Sequence, residues 1–438
     1  MKVSPDRPAG RPTVRRILLA DADAFYVSVA QLVDPDGAGR ATLLIVGGSA
    51  ERRGVVTSAS YEARRYGVHS AMPMARAIRL CPKAMVVPVP WEACAEKSRD
   101  IKTALERFTP VVEQASSDEF YLDMTGTAEL YRNETVAETA RRIRAAVREA
   151  TALSVSIGGG SSCLVAKLAA GIAKPLPGTA GDGVHVVEPG AEGEFLRRFR
   201  LADLPFVGPK FQERLRRLGL RTVDDALRHE RRTLVAWLGE REGTWLWERV
   251  RGIDGAVVEP SREAKSISRD ETFAVDLEED PALERQLLAL ADRASTDLRE
   301  AGLLARTVTV KIRDADFTTR QASRTLPEPV SADRAVYAVA RELLGKLRAA
   351  RRVPARLLGV ALSQLVRDEA GAQLSLLAPE PAASPAPSGE TERDRTLARV
   401  IDELRERFGP DAVARGRVPR GGGGGREGPR GRGGQPER

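Results

Sequence analysis

Apolar and polar positions divide the chain into segments of distinct period. Ile17-Leu18-Leu19-Ala20 is an unbroken apolar run, the length of a buried strand rather than a helix, and it delivers Asp21 to its C-terminal end. Open sheets gather their ligands at such ends. Val111 to Ala115 and Phe120 to Asp123 read as the arms of a hairpin with Ser116 to Glu119 at its bend. Neighbours on a regular strand face opposite ways, so Asp118 and Glu119 can share a site only at a turn or a strand start, which the bend provides. Ser60 to Tyr66 predicts a short helix closed by Gly67. Within 133–150, Val136, Ala140, Ile143 and Val147 fall at helical spacing and leave Arg141, Arg142, Arg144 and Arg148 outward. A strand at Val155-Ser156-Ile157, a turn at Gly158-Gly159-Gly160 and a helix from about Ser162 to Ala173, stopped by Lys174-Pro175, complete a first domain of α/β or α+β type.

The pattern then turns helical over 188–252, where Leu204-Pro205-Phe206-Val207-Gly208-Pro209-Lys210 precedes Leu215, Leu218 and Leu220. This is a helix, tight turn, helix. It has two readings: a turn aiming N–H groups at a DNA phosphate, or a plain αα-hairpin. Past a linker near 256–262, Thr307 to Arg313 alternates strictly, so one face packs and the other presents Thr307, Thr309, Lys311 and Arg313. Such a face suits a sugar-phosphate backbone, with an ordinary solvated surface as the alternative. Thr318, Thr319, Arg320, Arg324 and the strand Leu358 to Leu365 are expected to extend it, while helices at 281–300 and 333–350 cover the other side. Beyond Arg367, Gln373-Leu374-Ser375-Leu376-Leu377 before Pro379, Pro381, Pro385 and Pro387 has the layout of a docking peptide on a tether. Thr396 to Phe408 is an amphipathic helix, and 415–438, with seven arginines, two glutamates and many glycines, is expected to be disordered.

Composition narrows the chemistry. With 438 residues the chain has room for several domains, and 69 Lys and Arg against 61 Asp and Glu give +8, which favours a polyanionic partner such as nucleic acid. Cys81, Cys94 and Cys163 share no metal-ligand spacing and form no disulfide framework, which argues against zinc and for a reducing, cytoplasmic setting. No apolar run reaches about 18 residues, so no membrane span is expected. His69, His185 and His229 are read as ordinary surface or packing histidines. Gly158 to Ser162 lacks the Gly-Lys pair of a P-loop. What remains is carboxylate chemistry. Asp21, Asp118 and Glu119 are hard oxygen ligands, and three such groups converging from separate strands can hold two Mg²⁺ roughly 3.5–4 Å apart for in-line displacement at phosphorus. A polymerase, a nuclease or a nucleotide cyclase would each satisfy that set.

Several motifs, taken in order, carry a resemblance. Asp21-Ala22-Asp23-Ala24-Phe25-Tyr26, Tyr61-Glu62-Ala63-Arg64, Ser117-Asp118-Glu119-Phe120-Tyr121-Leu122-Asp123, Ala166-Lys167-Leu168-Ala169 with Lys174-Pro175, and Lys265-Ser266-Ile267-Ser268 with Glu271-Thr272-Phe273 resemble Y-family DNA polymerases of the bacterial DNA polymerase IV type, over about residues 15–377. The resemblance implies an α+β multidomain right hand. Its parts are a flexible N-terminus (1–14), a palm (15–31 and 84–187), small fingers (32–83), a helical thumb (188–252), a linker (253–262) and a β-sheet little finger (263–367). A clamp-binding peptide and tether (368–390), an amphipathic helix (391–414) and the Arg/Gly tail (415–438) follow.

It further implies low-fidelity translesion synthesis without proofreading, by a monomer that takes primer-template DNA and deoxynucleoside triphosphates. Asp21, Asp118, Glu119 and the Ala22 carbonyl would hold two Mg²⁺. Tyr61, Arg64 and Lys174, assisted by Ser58, would contact the triphosphate, and Tyr26 would be the steric gate against a ribose 2′-hydroxyl. Val207, Gly208 and Lys210 would meet DNA in the thumb, and Thr309, Lys311, Arg313 and Arg320 in the little finger. Gln373, Leu374, Leu376 and Leu377 resemble a sliding-clamp motif. The chain departs from the family pattern at Ala22 and Ala24, at Gly171 where an aspartate is usual, at Leu176-Pro177, at Phe206 where the hairpin has a glycine, and at Leu377 where Phe is common. Asp23 and Asp123 are read as structural neighbours of the site. A non-catalytic DNA-binding scaffold and a cyclase are the competing readings; the first loses the acids, and the second leaves the helical hairpin and polar-faced sheet unexplained.

Overall fold

The structure, a computed structural model, describes residues 15–132, 134–175, 181–261, 263–368, 389–409 and 412–413. The chain forms two compact units, Met1–Arg262 and Glu263–Arg438. Along the first, β1 (Ile17–Ala22) turns through the left-handed Ala24 (φ 46°) into α1 (Phe25–Val33). β2 (Leu44–Gly47), β3 (Val56–Ala59), α2 (Tyr61–Arg64), α3 (Met74–Leu80) and β4 (Met85–Val87) follow, with a small separate sheet of strand order β3-β2-β4 in the stretch expected as fingers. β4 pairs in parallel with β2, so the small sheet runs past the boundary expected at residue 83. Then come α4 (Trp91–Glu106), β5 (Val112–Gln114), β6 (Glu119–Asp123), α5 (Val136–Thr151), β7 (Val155–Gly160), α6 (Cys163–Ala173) and β8 (Val184–Val186). The larger sheet has the order β5-β6-β1-β7-β8 and is antiparallel except for β7 and β8, which places the palm in the α+β class.

Alternation along β1 sets the two sides of this sheet. Leu18, Ala20 and Ala22 pack with Ile101 and Leu105 of α4 and Ala140, Ile143 and Val147 of α5. Ile17 and Leu19 pack with Ala166 and Ala170 of α6 on the opposite side. Asp21 continues the Ile17/Leu19 face, so it emerges on the side of α6. α5 begins where the apolar spacing begins, held by a capping box between Thr135 and Glu138.

The glycine run corrects a sequence expectation. Gly158, Gly159 and Gly160 are not a turn but the last residues of β7, paired with Leu19, Leu18 and Ile17. Their function is close approach: a Cβ on Gly158 would overlap the backbone O of Ala166 and N of Ala170 in α6. Helix and strand touch backbone to backbone there.

The rest of this unit is helical: α7 (Glu192–Leu196), α8 (Pro209–Arg217), α9 (Val223–Leu227), α10 (Arg231–Leu238) and α11 (Glu240–Arg249), around Leu204, Val207, Leu215, Leu220, Leu234 and Leu246. In the second unit, β9 (Ser266–Leu277), α12 (Asp280–Glu300), β10 (Leu303–Asp314), β11 (Thr319–Val330), α13 (Asp333–Ala350) and β12 (Ala355–Arg367) build an antiparallel sheet of order β11-β10-β12-β9. α12 and α13 cover one face through Leu287, Leu290, Ala294, Val336, Val339 and Leu343.

The amphipathic C-terminal segment is α14 (Glu392–Phe408), capped by Thr391 and Asp394. It is fastened to this same helix layer. Asp402 accepts from Arg299 at 2.6 and 2.9 Å, Arg405 meets Asp292 at 3.0 Å, and Glu390 accepts from the N–H groups of Ser331 and Ala332 just before α13. The N-terminal segment 1–14, the peptide Gln373–Leu377 with its tether, Leu176-Pro177 and the Arg/Gly tail lie outside the described residues. No helix among the described residues is long and apolar enough to cross a membrane.

Candidate active site

The ends of β1 and β6 bring the acids together. Asp21 and Glu119 are directly opposed across that antiparallel pair, and the Ala22 N–H donates to the Asp118 carbonyl at 2.9 Å. Opposed residues share a face, which is how two strand residues about a hundred positions apart come to meet. The bend is fixed by Ser116: its hydroxyl accepts from the N–H groups of Asp118 (3.3 Å) and Glu119 (3.1 Å) and donates to the Asp118 carboxylate at 2.6 Å. Because Glu119 is the first residue of β6, the two consecutive acids escape strict strand alternation.

α6 supplies the countercharge. Lys167 Nζ lies 2.5 Å from Glu119 and 3.5 Å from Asp21, while Lys174 Nζ lies 2.8 Å from Asp21. Lys167 had no assigned role in the sequence reading. Its signal was the seven-residue spacing to Lys174, two helical turns, which puts both on one side of α6. The contact depends on Gly158, where any side chain would run into the backbone of α6.

These groups border a cavity of about 330 Å³ lined by Asp21, Ala22, Tyr26, Ser58, Arg64, Asp118, Glu119 and Lys174. Thr57, His69 and Ser70 line it as well. His69 was read as an ordinary surface residue; the loop after α2 carries it to the mouth, which no local pattern signals. Tyr61 does not line the cavity. It stands behind Arg64, whose guanidinium lies 4.9 Å from the Tyr61 ring and donates to the Ala59 carbonyl at 2.9 Å. Burial, helped by the charge of Asp23, pushes the Tyr61 phenol up to about 12, and its buried hydroxyl has no hydrogen-bond partner. A neutral donor without an acceptor is suited to an anionic ligand.

Asp23 is buried, accepts from Ser156 at 2.7 Å, and has its pKa raised by that burial. Asp123 accepts the Thr125 N–H at 2.8 Å. Both act within the scaffold, apart from the cavity.

Among the described residues no three His, Cys, Asp or Glu side chains stand as a preformed metal cage. The donor set itself, three carboxylates at adjacent strand ends, is all hard oxygen, which fits a hard divalent cation such as Mg²⁺. Cys81, Cys94 and Cys163 are free and buried.

The residues expected to face DNA fall on different surfaces. In the thumb turn Phe206 takes φ 69°, a left-handed backbone that favours glycine, and is 88% exposed. Gly208 and Lys210 are exposed at the start of α8. Val207 is not: its side chain is in the thumb core and its N–H donates to the Leu204 carbonyl at 3.2 Å. In the second unit Thr309, Lys311 and Arg313 share the face away from α12 and α13; Thr309 bonds Ser323 at 2.9 Å, Lys311 pairs with Asp270, and Arg313 donates to Thr319 at 2.9 Å.

Arg320 must be reassigned. It is the cross-strand partner of Ile312, on the helix-covered side, where it binds the fully buried Asp314 at 2.9 Å and the carbonyls of Leu347 and Arg351. Arg324, opposite Val308, likewise reaches Glu342 of α13. Thr318 and Thr319 gave no register for β11; pairing decided it. Arg320→Ala is expected to destabilise the second unit by about 2–4 kcal/mol, because it strips a partner from a buried carboxylate. Denaturant unfolding measures this, and a loss confined to DNA affinity would contradict the reassignment.

Family models match three stretches: the impB/mucB/samB family over residues 20–171, the C-terminal domain of that family over 264–376, and the DNA polymerase-iota thumb domain over 202–254. A DNA polymerase IV of Dehalococcoides mccartyi (strain CBDB1) is 35% identical over 408 residues, 93% of this chain and 98% of the relative. The chain belongs to the Y family of DNA polymerases, in its DNA polymerase IV group. A second relative, the DNA polymerase IV of Halorhodospira halophila (strain DSM 244 / SL1), is 40% identical over 353 residues, 81% of this chain and 96% of its own. The fold agrees: a solved Y-family DNA polymerase chimera of Dbh and Dpo4 matches with TM-score 0.71 at 23% identity, covering 80% of this chain and 99% of that one. This polymerase therefore has a palm, small fingers, a helical thumb and a β-sheet little finger, and its activity is DNA-directed DNA synthesis.

Proposed function

We propose that this polymerase adds deoxynucleotides to a primer 3′ end by two-metal phosphoryl transfer, at low fidelity and without proofreading, in translesion synthesis during DNA damage tolerance. One observation carries the reading: a single cavity gathers Asp21, Asp118 and Glu119 with Tyr26, Ser58, Arg64 and Lys174. Asp21, Asp118, Glu119 and the Ala22 carbonyl would hold two Mg²⁺. Bound there, the ions supply activation of the primer hydroxyl and neutralise charge developing on the phosphates. Lys174 and Arg64, both lining the cavity, bind the triphosphate, and Tyr61 backs Arg64. Tyr26 fills the space of a ribose 2′-hydroxyl.

A related solved structure, an insertion ternary complex of Dbh DNA polymerase, supports primer-template and nucleotide as ligands. The thumb would meet DNA through Gly208 and Lys210, and the little finger through Thr309, Lys311 and Arg313. The peptide with Gln373, Leu374, Leu376 and Leu377 would dock the monomer on a sliding clamp in the cytoplasm.

Primer extension with purified protein on intact and damaged templates tests the reading. Extension past a lesion that requires Mg²⁺ supports it; DNA binding with no extension by any deoxynucleotide supports the scaffold instead. Tyr26→Ala is expected to admit ribonucleotides while deoxynucleotide extension continues, raising ribonucleotide use by about a hundredfold, on the scale of a lost steric contact of about 3 kcal/mol. Unaltered exclusion of ribonucleotides in that variant removes Tyr26 from the role.

A further inference from the structure

Tyr26 sits in the first turn of α1 and is held at three points. Its ring meets Phe25 edge-on at 5.2 Å and the exposed Trp91 edge-on at 6.0 Å, and its hydroxyl lies 2.9 Å from the Ser117 hydroxyl. The rings and the apolar residues around them hold the body of the ring, and the hydrogen bond to Ser117 is the contact at its tip.

Ser117 is itself anchored. Its carbonyl accepts from the Ser98 hydroxyl at 2.6 Å, Ser98 accepts from Gln114 at 2.9 Å, and Ser98 is buried in α4. It also directly precedes Asp118 and Glu119, so one short bend carries both the acids and the anchor of the tyrosine.

We infer that Ser117 is a positioning residue for sugar discrimination: its hydroxyl fixes the Tyr26 ring tip against the cavity and so sets how strictly ribonucleotides are excluded. The inference rests on the reading of Tyr26 as the gate. Two physical effects support it. A ring pinned at its tip cannot yield to the one extra oxygen of a ribose, whereas a ring held only at its base can swing. The phenol and the Ser117 hydroxyl also satisfy one another, which leaves the phenol less able to reward a ribose 2′-hydroxyl with a hydrogen bond of its own.

The test compares kcat/KM for matched deoxy- and ribonucleoside triphosphates on one primer-template, for the parent, Ser117→Ala, Tyr26→Phe and the double variant. Ser117→Ala is expected to retain deoxynucleotide extension within about twofold and to raise relative ribonucleotide use by about three- to tenfold, the range of one net hydrogen bond. Tyr26→Phe should shift selectivity similarly, the double variant no further than the larger single change, and Ser117→Thr should restore the parent ratio. Unchanged selectivity in Ser117→Ala, or additive effects in the double variant, overturns the inference. If Tyr26→Ala admits ribonucleotides while Ser117→Ala does not, the gate stands and only the anchor fails; if Tyr26→Ala does not, the gate reading itself fails.

Discussion

Glu119→Ala, and equally Asp118→Ala, is expected to lower primer extension by on the order of a thousandfold or more while leaving the fold and primer-template affinity intact. Glu119 stands where β1 and β6 end side by side, facing Asp21, and it shares Lys167 with that residue. Its removal takes away a carboxylate that no neighbour can replace, because Asp23 is committed to Ser156 and Asp123 to the Thr125 N–H. Single-turnover extension with saturating nucleotide measures the chemical step, and unfolding midpoints separate it from misfolding. Asp123→Asn is the comparison: it changes a carboxylate of the same strand outside the cavity and should retain most of the rate. Extension by Glu119→Ala at near the parent rate would falsify the assignment of the acids.

Gly158→Ala is expected to destabilise the first unit by about 3 kcal/mol or more, a large effect for one methyl group. The methyl would overlap backbone atoms of Ala166 and Ala170, which have no rotamer through which to retreat, so α6 must move away from the sheet. Lys167 and Lys174 move with it. Activity should therefore fall even at temperatures where the variant is folded. Gly171→Ala, on α6 itself, provides the contrast: an added Cβ there meets nothing, and a helix interior gains about 0.5–1 kcal/mol when glycine becomes alanine. Urea unfolding of the two variants decides the matter. Equal stability would mean that the contact between α6 and β7 is not as tight as the structure has it.

Much of the site was legible in sequence, and the reason is local. Asp21 follows an apolar run whose length permits only a strand, and Asp118-Glu119 sits between two short strand patterns, so both were placed at strand ends before any pairing was known. Helices such as α5 and α13 were legible because burial of one side imposes the helical period on their apolar residues. Tyr26, Ser58, Arg64 and Lys174 came instead from motif resemblance; nothing in their own spacing required that they share a cavity. His69 and Lys167 escaped because each is an unremarkable polar residue until the chain returns to place it beside partners far away in sequence.

By itself, the sequence determined the strand that ends at Asp21, the hairpin whose bend carries Asp118 and Glu119, helices such as α5 and α13, and which family the chain resembles, since these depend on periodicity and short motifs. Tertiary structure alone decided the rest. Strand pairing set Asp21 against Glu119 and turned Arg320 to the covered side of its sheet, because a one-residue change of register reverses every side chain. Helix packing decided that the glycine run continues a strand rather than forms a turn, because the approach of α6 to Gly158 and Gly160 exists only once that helix is there.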